Sequence, residues 1–185
     1  MKESIMSFFK APIRNQVPNA IVDIRRLHIL ITSDERLRER TLRVREGLAD
    51  AGRFRQLKQG LLPYVTPAGV FSYRREECLL VPSGDLVIDI DHLPSAEAAA
   101  QWRDTLFADE RLRPDLAFVS PGGTGVKLFV PYRLSPAEPV EHSFDTALAA
   151  AWDYLAWRHE LRTDTSNADL CRACFLCHDP EARIR

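Results

Sequence analysis

Two aspartates separated by one residue end an apolar run in segment 87–92, which reads VIDIDH. Side chains at positions i and i+2 of a strand point to the same face, so Asp89 and Asp91 would lie side by side. Two close carboxylates repel each other, and a divalent cation that shares their oxygens relieves this repulsion. The pair therefore predicts a metal site, although two strand-end aspartates that face solvent would give the same pattern.

A glycine-rich segment lies further along the chain, between the apolar runs LAFV and LFV. It reads SPGGTGVK over residues 120–127 and contains Ser120, Gly123, Gly125 and Lys127. Backbone N–H groups of such a loop, a hydroxyl and an ammonium group are suited to bind phosphate. A hairpin turn that needs glycine for positive φ is the alternative, and the Walker A order is absent.

The third candidate segment, residues 164–180, follows a predicted amphipathic helix and reads DTSNADLCRACFLCHDP. One carboxylate from this segment would complete a two-metal site in which the cations hold a triphosphate and an attacking hydroxyl. Asp164 follows the helix directly, whereas Asp169 could also pair with Arg172 or cap a turn. Asp164 is the preferred third ligand, and Asp169 is the competitor.

Together, segments 83–93, 120–131 and 164–180 resemble the catalytic core of archaeo-eukaryotic primases. They are more closely similar to the primase-like N-terminal domain that precedes VirE-type helicase regions in bacterial mobile elements. The likeness covers most of residues 50–180. It implies that the aspartate pair and Asp164 or Asp169 bind metal, and that the other matching residues contact nucleotide phosphate: Ser120, Gly123, Gly125, Lys127 and Arg172.

The resemblance implies a primase-polymerase nucleotidyltransferase that uses Mg²⁺ or Mn²⁺, nucleoside triphosphates and single-stranded or primed DNA. A helicase-type ATPase, in the same chain or separate, is the implied partner. Many polymerase-competent relatives have a histidine where Lys127 stands, and lysine cannot accept a hydrogen bond as imidazole does. A non-catalytic nucleic-acid or nucleotide-binding module that recruits a helicase, and a metal-dependent nuclease, are the alternative functions.

The elements that must position these residues follow the order β-α-β-β-α-β. We predict strands at 85–91, 115–120, 126–132 and near 170–177, with helices at 95–109 and 138–161. We expect the α/β (α+β) class with a ferredoxin-like or RNA-recognition-like split βαβ sheet, and the resemblance implies that this sheet belongs to a primase-polymerase core. Residues 1–60 form a helix-rich segment packed on the core, which spans 61–185, and a strand region lies near 69–81.

The composition fits an ordinary globular domain, because 185 residues that are 45% hydrophobic bury a sizeable core. A net charge of −1 excludes a generally polycationic nucleic-acid binder. Basic residues nevertheless outnumber acidic ones between positions 24 and 58, which suggests a weak nucleic-acid-binding flank that includes Arg43, Arg53 and Lys58. A solvated helix over 34–50, opened by the capping box Thr32-x-x-Glu35, would explain the same charges.

We expect a cytoplasmic protein, since the sequence contains no long apolar run and no secretion signal. The cysteines are then expected to be reduced. Cys171, Cys174 and Cys177 have C-x₂-C-x₂-C spacing, but on a strand they cannot converge on one metal, so we interpret them as small apolar residues. The C-terminus has no stop signal, and we expect a fragment of a longer protein.

Overall fold

The computed structural model describes residues 4–163, 165 and 168–185. Within them the helices are α1 (Ile24–Ser33), α2 (Glu35–Arg45), α3 (Ala51–Leu61), α4 (Ala96–Phe107) and α5 (Val140–His159). The strands are β1 (Ile5–Phe9), β2 (Ala20–Asp23), β3 (Tyr64–Thr66), β4 (Gly69–Phe71), β5 (Leu79–Pro82), β6 (Asp85–Ile90), β7 (Leu116–Val119), β8 (Val126–Pro131), β9 (Cys174–Phe175) and β10 (Arg183–Ile184). The α/β class is confirmed.

Short polar side chains start four of the five helices. Asp23, Asp34, Asp50 and Ser95 each accept a backbone N–H from the first turn that follows. The capping box predicted at Thr32 is wrong, because Thr32 lies inside α1 and its hydroxyl donates to a carbonyl of that helix. Asp34 caps α2 instead, and the helix predicted over 34–50 ends at Arg45, where a turn follows.

Two four-stranded antiparallel sheets form the framework. Sheet 1 has the order β2-β1-β3-β9, and sheet 2 has the order β10-β7-β8-β6, while β4 and β5 form a separate hairpin. In sheet 2, β8 lies between β6 and β7, which α4 connects. This arrangement is the predicted split βαβ unit. The elements predicted at 85–91, 95–109, 115–120 and 126–132 match its strands and helix within two residues at each end, and the helix predicted at 138–161 matches α5 equally well.

The predicted strand at 170–177 does not complete this sheet. Only Cys174–Phe175 is a strand there, and it pairs with β3 of sheet 1. The fourth strand of sheet 2 is β10, which pairs with β7 rather than with β6. Residues 5–23 also contain the two unpredicted strands β1 and β2, so the interval 1–60 supplies half of sheet 1 as well as three helices.

Alternate residues of β6 face two different cores. Leu86, Ile88 and Ile90 pack with α4 and α5 in one buried cluster. Val87 belongs to a second cluster, in which side chains of β7 and β8 meet those of sheet 1, α1 and α2. By strand alternation, Asp89 lies on the face of Val87, where sheet 2 turns toward sheet 1. No helix of the described residues is long and apolar enough to cross a membrane.

Candidate functional site

A cleft of about 610 Å³ opens at the end of β6 and β8, bordered by α3 and by the segment around β9. Its lining includes Asp89, Asp91, Ser120, Lys127, Asp169 and Arg172. These six residues belong to three segments that are far apart in the sequence. The fold therefore brings the aspartate pair, the glycine-rich loop and the arginine segment into one site.

Asp89 is held by two cations. It lies directly opposite Lys127 in the β6–β8 register, and the Lys127 ammonium donates to its Oδ1. Nη2 of Arg172 donates to its Oδ2 at 2.8 Å. Both carboxylate oxygens thus accept charge-assisted hydrogen bonds, which are stronger than neutral ones.

These contacts keep the pair ionised. Burial alone would raise the pKa of Asp89, but Lys127, and after it Arg172, lower that pKa below its usual value. Burial would likewise lower the pKa of Lys127, but the Asp89 carboxylate raises it above its usual value. The carboxylate and the ammonium group therefore stabilise each other's charged form.

Asp91 is exposed, in contrast to Asp89. The chain leaves β6 through His92 in a left-handed conformation (φ 60°), and the next N–H, from Leu93, donates to the carbonyl of Thr124 at 2.9 Å. This hydrogen bond ties the turn to the glycine-rich loop. Asp91 therefore faces the cleft beside the loop, with its carboxylate available to a ligand.

Two glycines of the loop have different structural roles. Gly123 has a φ of +83°, which favours glycine, and its N–H donates to the carbonyl of Ser120 at 2.9 Å. A Cβ on Gly125 would lie 2.6 Å from the Ile90 carbonyl oxygen and 2.8 Å from Oδ1 of Asp91. The predicted phosphate role of Gly123 is thus limited by its internal hydrogen bond, and Gly125 allows close packing. Both glycines shape the loop that carries Ser120.

The two candidates for the third carboxylate differ in what the structure reveals. Asp164 lies outside the described residues. Asp169 is exposed and lines the cleft, where its Oδ1 accepts the thiol of Cys171 at 3.3 Å. Its backbone carbonyl accepts the N–H of Arg172. Within the described ranges, no three His, Cys, Asp or Glu side chains are arranged to hold a metal ion.

The cleft contains carboxylates of the type that Mg²⁺ or Mn²⁺ would need, although the described residues do not group them around a cation position. Asp89, Asp91 and Asp169 line the same cleft, and carboxylate oxygens are the ligands that these cations prefer. Asp91 and Asp169 are the exposed carboxylates of the three. Since Lys127 and Arg172 already neutralise Asp89, a cation bound to Asp89 would have to replace at least one of these contacts.

The cationic wall of the cleft differs from the basic flank predicted from sequence. Lys58 lines the cleft, whereas the exposed side chains of Arg43 and Arg53 are not among its lining residues. Arg55 and Arg74 line it and were not predicted. Arg55 belongs to the basic run of α3, so charge clustering alone could have suggested it. Arg74 is brought to the cleft by the chain segment that joins β4 and β5.

The cysteines of segment 171–177 have thiols that are hard to ionise. Burial raises the pKa of Cys171, Cys174 and Cys177 to about 12. The thiol of Cys177 donates to the Val119 carbonyl at 3.1 Å. Because metal ligation and nucleophilic attack require the thiolate, this environment is suited to packing rather than to chemistry.

A protein-family model matches most of the chain. A family model described as BT4734-like, N-terminal domain matches residues 56–183. This interval contains the paired aspartates, the glycine-rich loop and the arginine segment, and it begins inside α3. No curated protein and no solved structure matches the chain. The match covers well over half of the sequence, and the chain therefore belongs to the BT4734-like N-terminal domain family.

Proposed function

We propose that the cleft binds nucleotide phosphates and that the protein is a primase-polymerase-like nucleotidyltransferase acting on single-stranded or primed DNA. One observation carries the proposal: three separate segments contribute Asp89, Asp91, Ser120, Lys127 and Arg172 to the same cleft. Phosphoryl chemistry requires carboxylates that hold a divalent metal ion, and hydroxyl and positively charged side chains that bind phosphate. The cleft contains both kinds of group. The primase resemblance of these segments supports the same conclusion.

Each of these residues has a defined task in such a reaction. Lys127 and Arg172 offer positive charge to triphosphate oxygens, and the Ser120 hydroxyl offers a hydrogen-bond donor. Asp91, together with Asp89, would hold Mg²⁺ or Mn²⁺. The bound cations would supply activation of a primer 3′-hydroxyl and neutralisation of the pyrophosphate leaving group. By the same resemblance, we assign the domain to replication of a mobile element, in partnership with a helicase-type ATPase.

The direct test is Mn²⁺-dependent nucleotide incorporation on primed and unprimed single-stranded templates. Asp91→Asn should reduce incorporation to background, because Asp91 is a carboxylate that would hold the cation. Asp91 is exposed, so this change removes no buried ion pair. Asp145→Asn, a change at another exposed aspartate, on α5, is the matched control and should retain activity. Full activity of Asp91→Asn would exclude this mechanism. Cleavage of labelled DNA with Mn²⁺ and no nucleotide would instead indicate the nuclease.

A second candidate function follows from the ion pairs of Asp89. Since Lys127 and Arg172 both pair with this carboxylate, the cleft also suits a non-catalytic module that holds phosphates and recruits a helicase. Such a module should bind single-stranded DNA with a steep dependence on salt and no response to EDTA. A titration of Mn²⁺ with and without tripolyphosphate separates the two functions, because only the enzyme needs a cation beside the phosphates.

A further inference from the structure

Two phenylalanine rings and one lysine form a group on the wall of the cleft. Phe54 and Lys58 are four residues apart on α3 and therefore lie on the same face of that helix. Phe175 belongs to β9, on sheet 1. The Lys58 ammonium lies 5.4 Å from the centroid of the Phe54 ring and 5.5 Å from that of Phe175, which are cation–π distances. All three residues line the cleft.

These rings differ from the core phenylalanines of the protein. Phe118 and Phe129 are fully buried, whereas Phe54 and Phe175 are only half-buried at the margin of the second cluster. The remainder of the cleft is rich in charged side chains. An apolar ring surface inside a charged cleft suits a ligand that is both planar and anionic.

The phosphate-binding groups lie close to this aromatic surface. A Cβ on Gly122 of the loop would lie 3.6 Å from Cζ of Phe54, so the ring contacts the loop that carries Ser120. Lys58 is close enough to Lys127 for their charges to interact. Burial, followed by repulsion from Lys127, lowers the pKa of Lys58. A ligand with a ring and phosphates would contact both surfaces at once.

We propose that Phe54, Lys58 and Phe175 form a nucleobase-stacking subsite. This inference rests on the proposed function, because it assigns the aromatic wall to the base of a ligand whose phosphates lie at Ser120, Lys127 and Arg172. Bases of every type stack on aromatic side chains, so the subsite accepts bases without sequence preference. The base comes either from an incoming nucleoside triphosphate or from a nucleotide of a single strand.

The test compares ligands with and without a base on the full chain. Isothermal titration calorimetry measures the affinity of the protein for four ligands in two pairs. ATP is compared with inorganic tripolyphosphate, and oligodeoxythymidylate is compared with an abasic oligonucleotide of equal length. If the subsite takes the base of a nucleoside triphosphate, the wild-type protein should bind ATP more tightly than tripolyphosphate. If it takes a base of a single strand, the wild-type protein should bind oligodeoxythymidylate more tightly than the abasic oligonucleotide. Phe54→Leu and Phe175→Leu should weaken that ligand about tenfold, the range expected for loss of one stacking contact. Binding of tripolyphosphate and the abasic strand should change less than about twofold.

Two control variants separate stacking from folding. Phe107→Leu removes a ring that carries the Arg185 guanidinium at 5.1 Å and is not among the lining residues of the cleft, and it should leave all four affinities unchanged. Phe175→Tyr retains a ring and should retain base binding. Thermal melts of each variant verify that it is folded, and leucine keeps apolar volume at both positions.

Each outcome has a separate meaning. A selective loss for ATP identifies the incoming nucleotide as the source of the base, and a selective loss for oligodeoxythymidylate identifies the single strand. If ATP and tripolyphosphate bind and the leucine variants leave every affinity unchanged, the subsite is excluded while the proposed function remains. An equal loss with and without the base also excludes it, because the rings would then only shape the cleft. If none of the four ligands binds, both proposals are overturned.

Discussion

The ion pair between Asp89 and Lys127 makes a sharp prediction for the variant Asp89→Asn. This change keeps the shape of the side chain but removes the charge that compensates Lys127 and Arg172. The side chains of Lys127 and Arg172 are only 11% and 16% exposed, so solvent replaces little of the lost interaction. The variant therefore leaves two largely buried cations without their shared carboxylate.

The magnitude follows from this burial. Removing one partner of a buried ion pair destabilises a protein by about 3–5 kcal/mol. Since Lys127 and Arg172 border an open cleft, we expect the lower end of this range, about 3 kcal/mol. For a chain of this size, that loss corresponds to a decrease in Tm of about 6–12 °C. The effect should be largely shared with Lys127→Met, so the double variant should lose about 0.5–3 kcal/mol less than the sum.

Thermal and urea unfolding at pH 7 measure these effects, with Asp91→Asn as the matched control. Asp91 follows Asp89 by two residues but is exposed, so its variant should change the free energy of unfolding by less than about 0.5 kcal/mol. If Asp89→Asn is as stable as the control, the ion pair is not structural. An increase in stability would mean that repulsion between the two aspartates dominates, as in a site that depends on bound metal.

The pH dependence provides the sign of the effect. Because the pKa of Asp89 is lowered on folding, its contribution is present above the unfolded value of about 3.9 and is lost as the pH falls through the folded pKa. The raised pKa of Lys127 adds stability below about 10.4, which is lost at higher pH. Below about pH 4, the difference between wild type and Asp89→Asn should therefore shrink. A constant difference across this range would contradict the ionised pair.

Three further predictions test other parts of the structure. Gly125→Ala should destabilise the protein by about 1–3 kcal/mol in urea melts, because its Cβ would lie 2.6 Å from a β6 carbonyl oxygen, whereas Gly122→Ala should be nearly neutral. The Cys177 thiol, whose pKa burial raises to about 12, should react with a disulfide reagent at pH 8 only after unfolding, as measured by mass spectrometry. Asp109→Asn replaces the carboxylate that accepts a hydrogen bond from Nε2 of His159 at 2.9 Å. This change should reduce the free energy of unfolding by about 1–3 kcal/mol without changing tripolyphosphate binding.

The sequence was sufficient to predict the split βαβ unit, because its elements have clear local signals. Side chains of β6 alternate between two faces. Every second residue belongs to the first cluster, and Val87 and Asp89 lie on the other face. The glycine-rich loop separates two apolar runs that became β7 and β8, and α5 has apolar buried residues at three- and four-residue spacing, Phe144, Leu148, Ala151 and Leu155. Each of these patterns involves only residues that are close in sequence, so it can be recognised without knowledge of the tertiary contacts.

The unpredicted elements depend on distant partners. β9 is only two residues long and exists because it pairs with β3, more than a hundred positions earlier. β1 has five residues, a length at which an apolar run does not distinguish a strand from a buried helix segment. Lys58 contacts one ring from α3, Phe54, and one from β9, Phe175, so the placement of both rings in the cleft could not be deduced from local spacing.

The paired aspartates illustrate the limit of spacing arguments most clearly. Alternation along a strand correctly predicts a shared face, but it does not reveal that Lys127 lies opposite Asp89 or that Arg172 reaches the same carboxylate. These cations remove the repulsion that suggested a metal. A ligand with phosphate groups would draw Lys127 and Arg172 away from Asp89 and expose its oxygens to a divalent cation. Under the proposed function, cation and triphosphate should therefore each strengthen the binding of the other, because either one breaks the same two ion pairs and leaves the partner groups open to the other ligand.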